Sequence, residues 1–517
     1  MKLERTKNAA RNIFFGGIQK VYSIIAPFIT RTLFIYTLGV EYLGLNSLFG
    51  SILSVLNLAE LGVGNAMVFS MYRAIAEDDD DRISALLKLY RFYYRIIGGV
   101  IFIGGLILTP FLPYLIKSDL PDDVNLYVLY FMNLAATVLS YWVLAYRNSL
   151  FSAFQRNDIS SKIATCISII TTILQILILV FIRDYYAYMV VVIGMQVVSN
   201  LVYAVVSLRK YPKYKPCGSL PKEQVKSINR RIADLFTAKL GTVIINSADT
   251  IVISAFLGLI VLAQYQNYFY IFTAIAGIIE IIFTACIAGI GNSLITESSE
   301  KNYRDFRKML FIISWIAGFS CACFLCLYQP FISIWVGEDL LLDFSIVICL
   351  VVYFFIYEIN RVLNVYKDAA GMWHEDRFRP LVTALANLTM NLIMVQVIGL
   401  YGIILSTVLS MLFIGMPWLI HNLFTVIFDH KYKKSFLHRM LFYVIITLIA
   451  CVCTFFVCNL FDGNVVVTFG IRLLICMIVP NMIFLVCYFR LPEFEQSVKL
   501  IDNVTKGKIP FLHMNRS

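Results

Sequence analysis

Side chains with usable chemistry fall inside otherwise apolar stretches of this chain: Lys20, Arg31, Glu60, Lys239, Asn246, Asp249 and Glu280. An ionised group at the bilayer centre costs about 2.5 to 3.5 kcal/mol on insertion scales, so such residues face a cavity or a partner. Lys20 and Arg31 stand close to three helical turns apart, about 16 Å along one axis, and project from one face. Lysine supplies a point charge and arginine a planar fork, a combination suited to an anion with several oxygens, such as a diphosphate. Lys239 and Asn246 extend that substrate-binding set. Glu60, Asp249 and Glu280 are the charge partners or coupling groups: they hold the cations apart when no anion is bound, or exchange protons or sodium. Depth matches Glu60 to Lys20.

Other polar residues have local explanations. Glu358 and Arg361 are spaced i, i+3 and read as an ion pair on one helix. Arg472 lies near a helix end, within reach of the interface by snorkelling. Tyr265, Tyr268 and Tyr270 with Gln264 and Asn267 offer stacking and hydrogen bonding for sugars, or an interfacial aromatic belt. Cys321, Cys323, Cys326 and Cys451, Cys453, Cys458 lie in apolar spans without His or carboxylate neighbours and read as packing residues. No phosphate loop with its lysine and no HExxH sequence occurs. No catalytic residue, metal or cofactor is expected.

The elements that must position these groups are transmembrane helices. Apolar residues make up 60% of the 517 and charged residues 15%, with mean hydropathy +0.78, which excludes a soluble globular protein. The apolar runs are too long for barrel strands. The expected fold class is an all-α polytopic membrane protein of about 14 transmembrane helices, each near the ~20 residues a bilayer needs. Nearly all of the 43 Lys and Arg residues fall in alternate loops; the exceptions are Lys20, Arg31, Lys117, Arg183 and Arg472. That asymmetry places both termini in the cytoplasm of a multi-pass cell-membrane protein, and the distribution speaks for lipid headgroups, not nucleic acid. The apolar run behind Met1 to Arg11 lacks a small-residue cleavage site, so it is expected to stay as an anchor.

The acidic run Glu77 to Asp81 reads as a helix start. Val225, Ile228, Ile232 and Leu235 form one apolar face opposite Lys222, Lys226 and Arg230, an interfacial helix. Laid over the segment beginning near 230, the first hairpin puts Leu38-Gly39 on Leu257-Gly258, Lys20 on Lys239 and Pro27 on Asn246. A parallel repeat follows, with two pseudo-symmetric six-helix lobes and a C-terminal helix pair. The expected domains are an N-terminal lobe at 1–208, a cytoplasmic interfacial linker at 209–235, a C-terminal lobe at 236–427, and the extra helix pair with a cytoplasmic tail at 428–517. Lys20 and Lys239 would face a common cleft.

The run Leu38-Gly-Val-Glu-Tyr-Leu-Gly-Leu-Asn46, continuing into Leu56-Asn-Leu-Ala-Glu-Leu-Gly-Val-Gly64 and Phe69-Ser-Met-Tyr72, resembles the Wzx-type oligosaccharide flippases. These form the polysaccharide-transport branch of the superfamily that also holds multidrug extrusion transporters. Ala248 to Ser254, Asp368 to Trp373 with Glu375 to Pro380, and Asn387 to Asn391 carry further likeness. The resemblance implies alternating access and movement of an undecaprenyl-diphosphate-linked oligosaccharide from inner to outer leaflet for surface polysaccharide synthesis, without catalysis. The partners it implies are that lipid-linked oligosaccharide, membrane lipids, a polysaccharide polymerase and glycosyltransferases. A multidrug or cation antiporter of the same superfamily is the alternative, and a membrane-embedded sugar transferase or polymerase a third.

Overall fold

A computed structural model describes residues 5–505 except 118, 119, 122 and 462. Among the described residues every regular element is a helix. Eleven helices among the described residues are long and apolar enough to cross a membrane, or twelve when the pair Leu126–Trp142 and Ala145–Ala153, bent by 53°, counts as one span. The all-α membrane fold is as expected, and the described residues supply eleven or twelve of the about 14 expected spans by length and composition. Arg5–Thr37, which carries Lys20 and Arg31, and Lys222–Leu257 are two further helices of the bundle.

Contacts divide the chain into two compact units, Met1–Ala263 and Gln264–Ser517. The N-terminal unit contains α1 (Arg5–Thr37), α2 (Val40–Leu56), α3 (Val63–Ala76), α4 (Asp80–Leu108), α5 (Leu126–Trp142), α6 (Ser149–Ala153), α7 (Asn157–Leu177), α8 (Tyr185–Lys210) and α9 (Lys222–Leu257). α1 packs along α7, α7 on α8, and α2 on α5 and α9. The boundary falls inside α10 (Leu259–Thr296). α9 runs unbroken, so the apolar face from Val225 to Leu235 forms its opening turns and belongs to the helix that packs on α2 and α3.

Glycine sets the turn in both hairpins that the repeat aligns. Gly39 has φ +124° and Gly258 φ +93°, values that L side chains rarely adopt. Their N–H groups close back on the carbonyls of Phe34 at 3.2 Å and Ile253 at 3.1 Å, the same five-residue step. The acidic run acts as a helix start: Asp79 caps α4 by accepting from the Arg82 N–H at 2.9 Å, with Asp80 and Asp81 in the first turn. Between α8 and α9 a strap lies on the N-terminal unit. Lys213 Nζ meets Asp80 at 2.7 Å, Lys88 Nζ donates to the Gly218 carbonyl at 2.8 Å, and Tyr211 stacks on Phe154 at 4.6 Å. The hydrogen bond to Asp80 holds the Lys213 ammonium above its ordinary pKa, and burial pushes the Tyr211 hydroxyl up to about 12.

The C-terminal unit is built on α11 (Ser299–Val336), followed by α12 (Phe344–Ala369), α13 (Arg379–Ile398), α14 (Leu400–Ser410), α15 (Met416–Val426), α16 (Lys433–Cys458), α17 (Val465–Tyr488) and α18 (Pro492–Thr505). α12, α16 and α17 all lie along α11. Trp315 on α11 donates to Asn481 Oδ1 on α17 at 2.8 Å, and Phe311 meets Tyr488 edge-on at 5.4 Å. Glu493 of α18, 2% exposed, accepts from Arg307 Nε at 2.7 Å and lies 3.5 Å from Arg439. The extra helix pair is thereby docked on α11 by aromatic packing and a buried carboxylate.

Candidate functional site

In the N-terminal unit α1, α7 and α8 enclose a polar groove. Asn12 fixes the start of α1 against α7: its side chain donates to the Gln155 carbonyl at 3.2 Å and accepts from the Asp158 N–H at 2.7 Å. One turn before the groove's centre, the Tyr22 hydroxyl donates to the Ser168 carbonyl at 3.2 Å. Beyond this tie the helices leave a cavity of about 430 Å³, lined by Tyr22 and Thr30 of α1, Thr171 and Gln175 of α7, and Gln196 and Tyr203 of α8. A second cavity, of about 280 Å³, shares Pro27, Thr30 and Gln175 with the first and adds Arg31, Asn46 and Ser47. The two adjoin, and the arginine stands in the smaller one.

The groove follows from helical spacing. Ala164, Ser168, Thr171 and Gln175 recur at steps of four, three and four on α7, and Val192, Gln196, Ser199 and Tyr203 do so on α8. Each series makes one small or polar stripe on a helix otherwise apolar. Neither stripe is among the residues the sequence singles out by charge, although the periodicity that reveals them is in the sequence. Hydroxyls, amides and a tyrosine along such a wall are hydrogen-bonding groups for a polyhydroxylated ligand, while Arg31 offers five donors to an anion.

The other expected site residues are distributed as follows. Lys20 is on α1, half-buried, and does not line either cavity. Glu60 ends a 3-10 turn, Asn57–Glu60, that breaks the second span between α2 and α3. A Cβ placed on Gly64 would meet Glu60 Oε1 and the Tyr90 hydroxyl, each at 3.1 Å, which puts carboxylate and phenol side by side. Gly62 closes this break with φ +88°, and a Cβ there would meet Leu235 Cβ on α9 at 2.6 Å. Asp249 lies 7% exposed on α9 in a buried run with Ser247, Thr250 and Ser254. The side chains of Lys239 and Asn246, also on α9, fall outside the described residues.

In the C-terminal unit, Glu280 on α10 reaches Arg361 at 3.8 Å, and Arg361 also meets Glu358 at 3.2 Å and donates to the Ala276 carbonyl at 2.7 Å. The i, i+3 pair is present, and Glu280 joins it. Tyr268 is buried, its hydroxyl donating to Gln329 at 2.9 Å and accepting from the Leu342 N–H at 3.2 Å, so it serves packing. The Asn387 to Asn391 run is likewise interior: Asn387 donates to Thr407 at 2.9 Å, and Ser406 bonds Asn391.

Comparison with known proteins adds an independent line. The family model described as polysaccharide biosynthesis protein matches residues 9–290. Among solved structures, lipid II flippase MurJ in an inward closed conformation superposes with a TM-score of 0.71 at 17% identity, covering 93% of this chain and 99% of that one. A multidrug resistance MATE family transporter of the MOP superfamily, inward-facing, gives 0.58 at 15% identity over 81% of this chain and 96% of that one. A MOP superfamily transporter from Pyrococcus furiosus gives 0.54 at 15%, over 83% and 96%. No curated protein matches by sequence. At these identities the structures speak for the fold.

Proposed function

Since the chain belongs to the polysaccharide biosynthesis protein family, we propose that it flips an undecaprenyl-diphosphate-linked oligosaccharide from the inner to the outer leaflet of the cell membrane by alternating access. The carrying observation is the groove of α1, α7 and α8, where a wall of hydroxyl and amide groups adjoins a cavity containing Arg31. In this reading Arg31 takes the diphosphate with its planar fork. Gln175, Gln196 and Tyr203 meet the sugars, and the polyprenyl tail stays in lipid. Lys20, Lys239 and Asn246 complete the anion-binding set, and Glu60 and Asp249 answer their charge or carry coupling protons. Glu280 has a nearer role beside Arg361. The chain breaks and makes no bond of its substrate; a polymerase and glycosyltransferases act before and after it. Both termini face the cytoplasm, as the Lys and Arg distribution implies. A negative-inside potential of 100 mV then favours outward passage of each negative charge by about 2.3 kcal/mol.

The MATE-like fold supports a second reading, an antiporter of cations or drugs. One experiment separates the two. The full chain in sealed vesicles is given a fluorescent undecaprenyl-diphosphate oligosaccharide, with leaflet exposure read by a membrane-impermeant quencher, and in parallel a cationic dye under a proton or sodium gradient. Protein-dependent flipping that falls about tenfold or more in Arg31→Ala is expected, since loss of a charged bidentate contact removes more than 1.4 kcal/mol. Gradient-driven dye export without lipid flipping would establish the antiporter instead.

A further inference from the structure

Three sulfurs from three helices meet in the C-terminal unit. Cys326 of α11, Cys458 in the last turn of α16 and Cys476 of α17 are 3%, 1% and 0% exposed, and their Sγ atoms all lie within 4.8 Å of one another. Leu327, Phe455 and Ile475 pack around them. A metal–thiolate bond of about 2.3 Å in trigonal geometry sets sulfurs about 4.0 Å apart. Closing on an ion therefore requires a shift of under about 1 Å. Zinc takes a fourth ligand, and among the described residues no fourth Cys, His or carboxylate joins this group. Soft thiolate sulfur selects monovalent copper, which needs only three.

Charge points the same way. The Cys458 Sγ lies 4.0 Å from the backbone carbonyl of Arg472, and the Arg472 Nη2 donates at 3.4 Å to Oδ1 of Asn459, the residue after Cys458, so the guanidinium is held at the end of α16 that carries Cys458. Its Nε is buried with no hydrogen-bond partner. Arg472 thus has a place in the fold beyond snorkelling.

We propose that Cys326, Cys458 and Cys476 form a three-sulfur site for monovalent copper. Binding releases two thiol protons to solvent while the third sulfur ligates as a thiol. Copper with two thiolates carries one negative charge, and Arg472 offsets it; no electron moves. The ion ties α16 and α17 to α11, locking the extra helix pair onto its unit.

The test uses the full chain in detergent, reduced and free of oxygen, titrated with cuprous ion against a colorimetric cuprous chelator. One ion per chain should resist the chelator, with an X-ray absorption shell of three sulfurs at about 2.3 Å. Cys476→Ser should weaken binding by at least about tenfold, whereas Cys166→Ser and Cys453→Ser, at exposed cysteines, should leave it unchanged. The proposal is overturned if the wild-type chain surrenders all its copper or shows a two-sulfur or nitrogen/oxygen shell. It is equally overturned if the triple serine variant, checked for an intact melt, still retains one ion. The absorption measurement needs no variant, so a misfolded mutant does not blunt it.

Discussion

In the N-terminal unit polar side chains of α1, α7 and α8 line open volume, whereas in the C-terminal unit polar side chains of α12 to α14 and of the connection before α13 close on one another. Asp376 and Arg379 show the second case: 3% and 6% exposed, they meet at 2.6 Å, and the same guanidinium donates to Asn364 at 2.9 Å. Asn387 and Thr407 show it deeper in the unit. In lipid an unsatisfied polar group costs several kcal/mol, so polarity survives there only if paired or facing a water-filled cavity. The two units use the two permitted solutions. On the proposed function, transport chemistry belongs to the first and cohesion to the second.

The comparison breaks most readily at Asp376. Asp376→Ala should destabilise the folded chain by about 3 to 5 kcal/mol, because Arg379 is left as a buried charge without its carboxylate. A melt in detergent measures it; an unchanged melting temperature would mean this cluster is wetter than its burial implies. Next in size is Gly62→Ala. Left-handed φ and the 2.6 Å approach to Leu235 both oppose a Cβ, and the combined strain should be about 1 to 3 kcal/mol. The break that carries Glu60 would shift with it, so transport should fall further than the melt. Thr407→Val keeps the shape and removes the acceptor for Asn387. Interhelical hydrogen bonds in membranes average about 0.6 kcal/mol, with a maximum near 1.7, so a small drop in melting temperature with transport intact is the expected result.

Much of this architecture was legible because it depends on local pattern. Apolar runs gave the helices, the acidic run Glu77 to Asp81 gave the start of α4, and the i, i+3 spacing gave Glu358 with Arg361. The break at Asn57–Gly62 was not legible, because Asn57 and Glu60 are single polar residues within a run long enough to continue as one span, and the departure from a helix shows only in the backbone, left-handed at Gly62. Cys476 could not be joined to Cys326 and Cys458 from sequence, since their meeting depends on how α17 packs against α11. At the candidate site Arg31 was visible as an expensive charge. Gln175 and Gln196 were not, because amides in a membrane helix raise no such alarm until their period is counted.

Those two amides give the smallest stability effect and the sharpest test of the contrast. Gln175→Leu and Gln196→Leu exchange half-buried groups beside open volume for apolar ones of similar size, so neither should move the melt by more than about 0.5 kcal/mol. Flipping should nonetheless fall, because a site built to hydrogen-bond hydroxyls leaves them unpaired when its donors are removed. Varying the substrate then distinguishes sugar contact from general damage. A lipid diphosphate bearing one sugar should be less sensitive to Gln196→Leu than one bearing several, since Gln196 lines the larger cavity and Arg31 the smaller. Equal losses for both substrates would move the sugars out of this groove and return the polar stripes of α7 and α8 to helix packing.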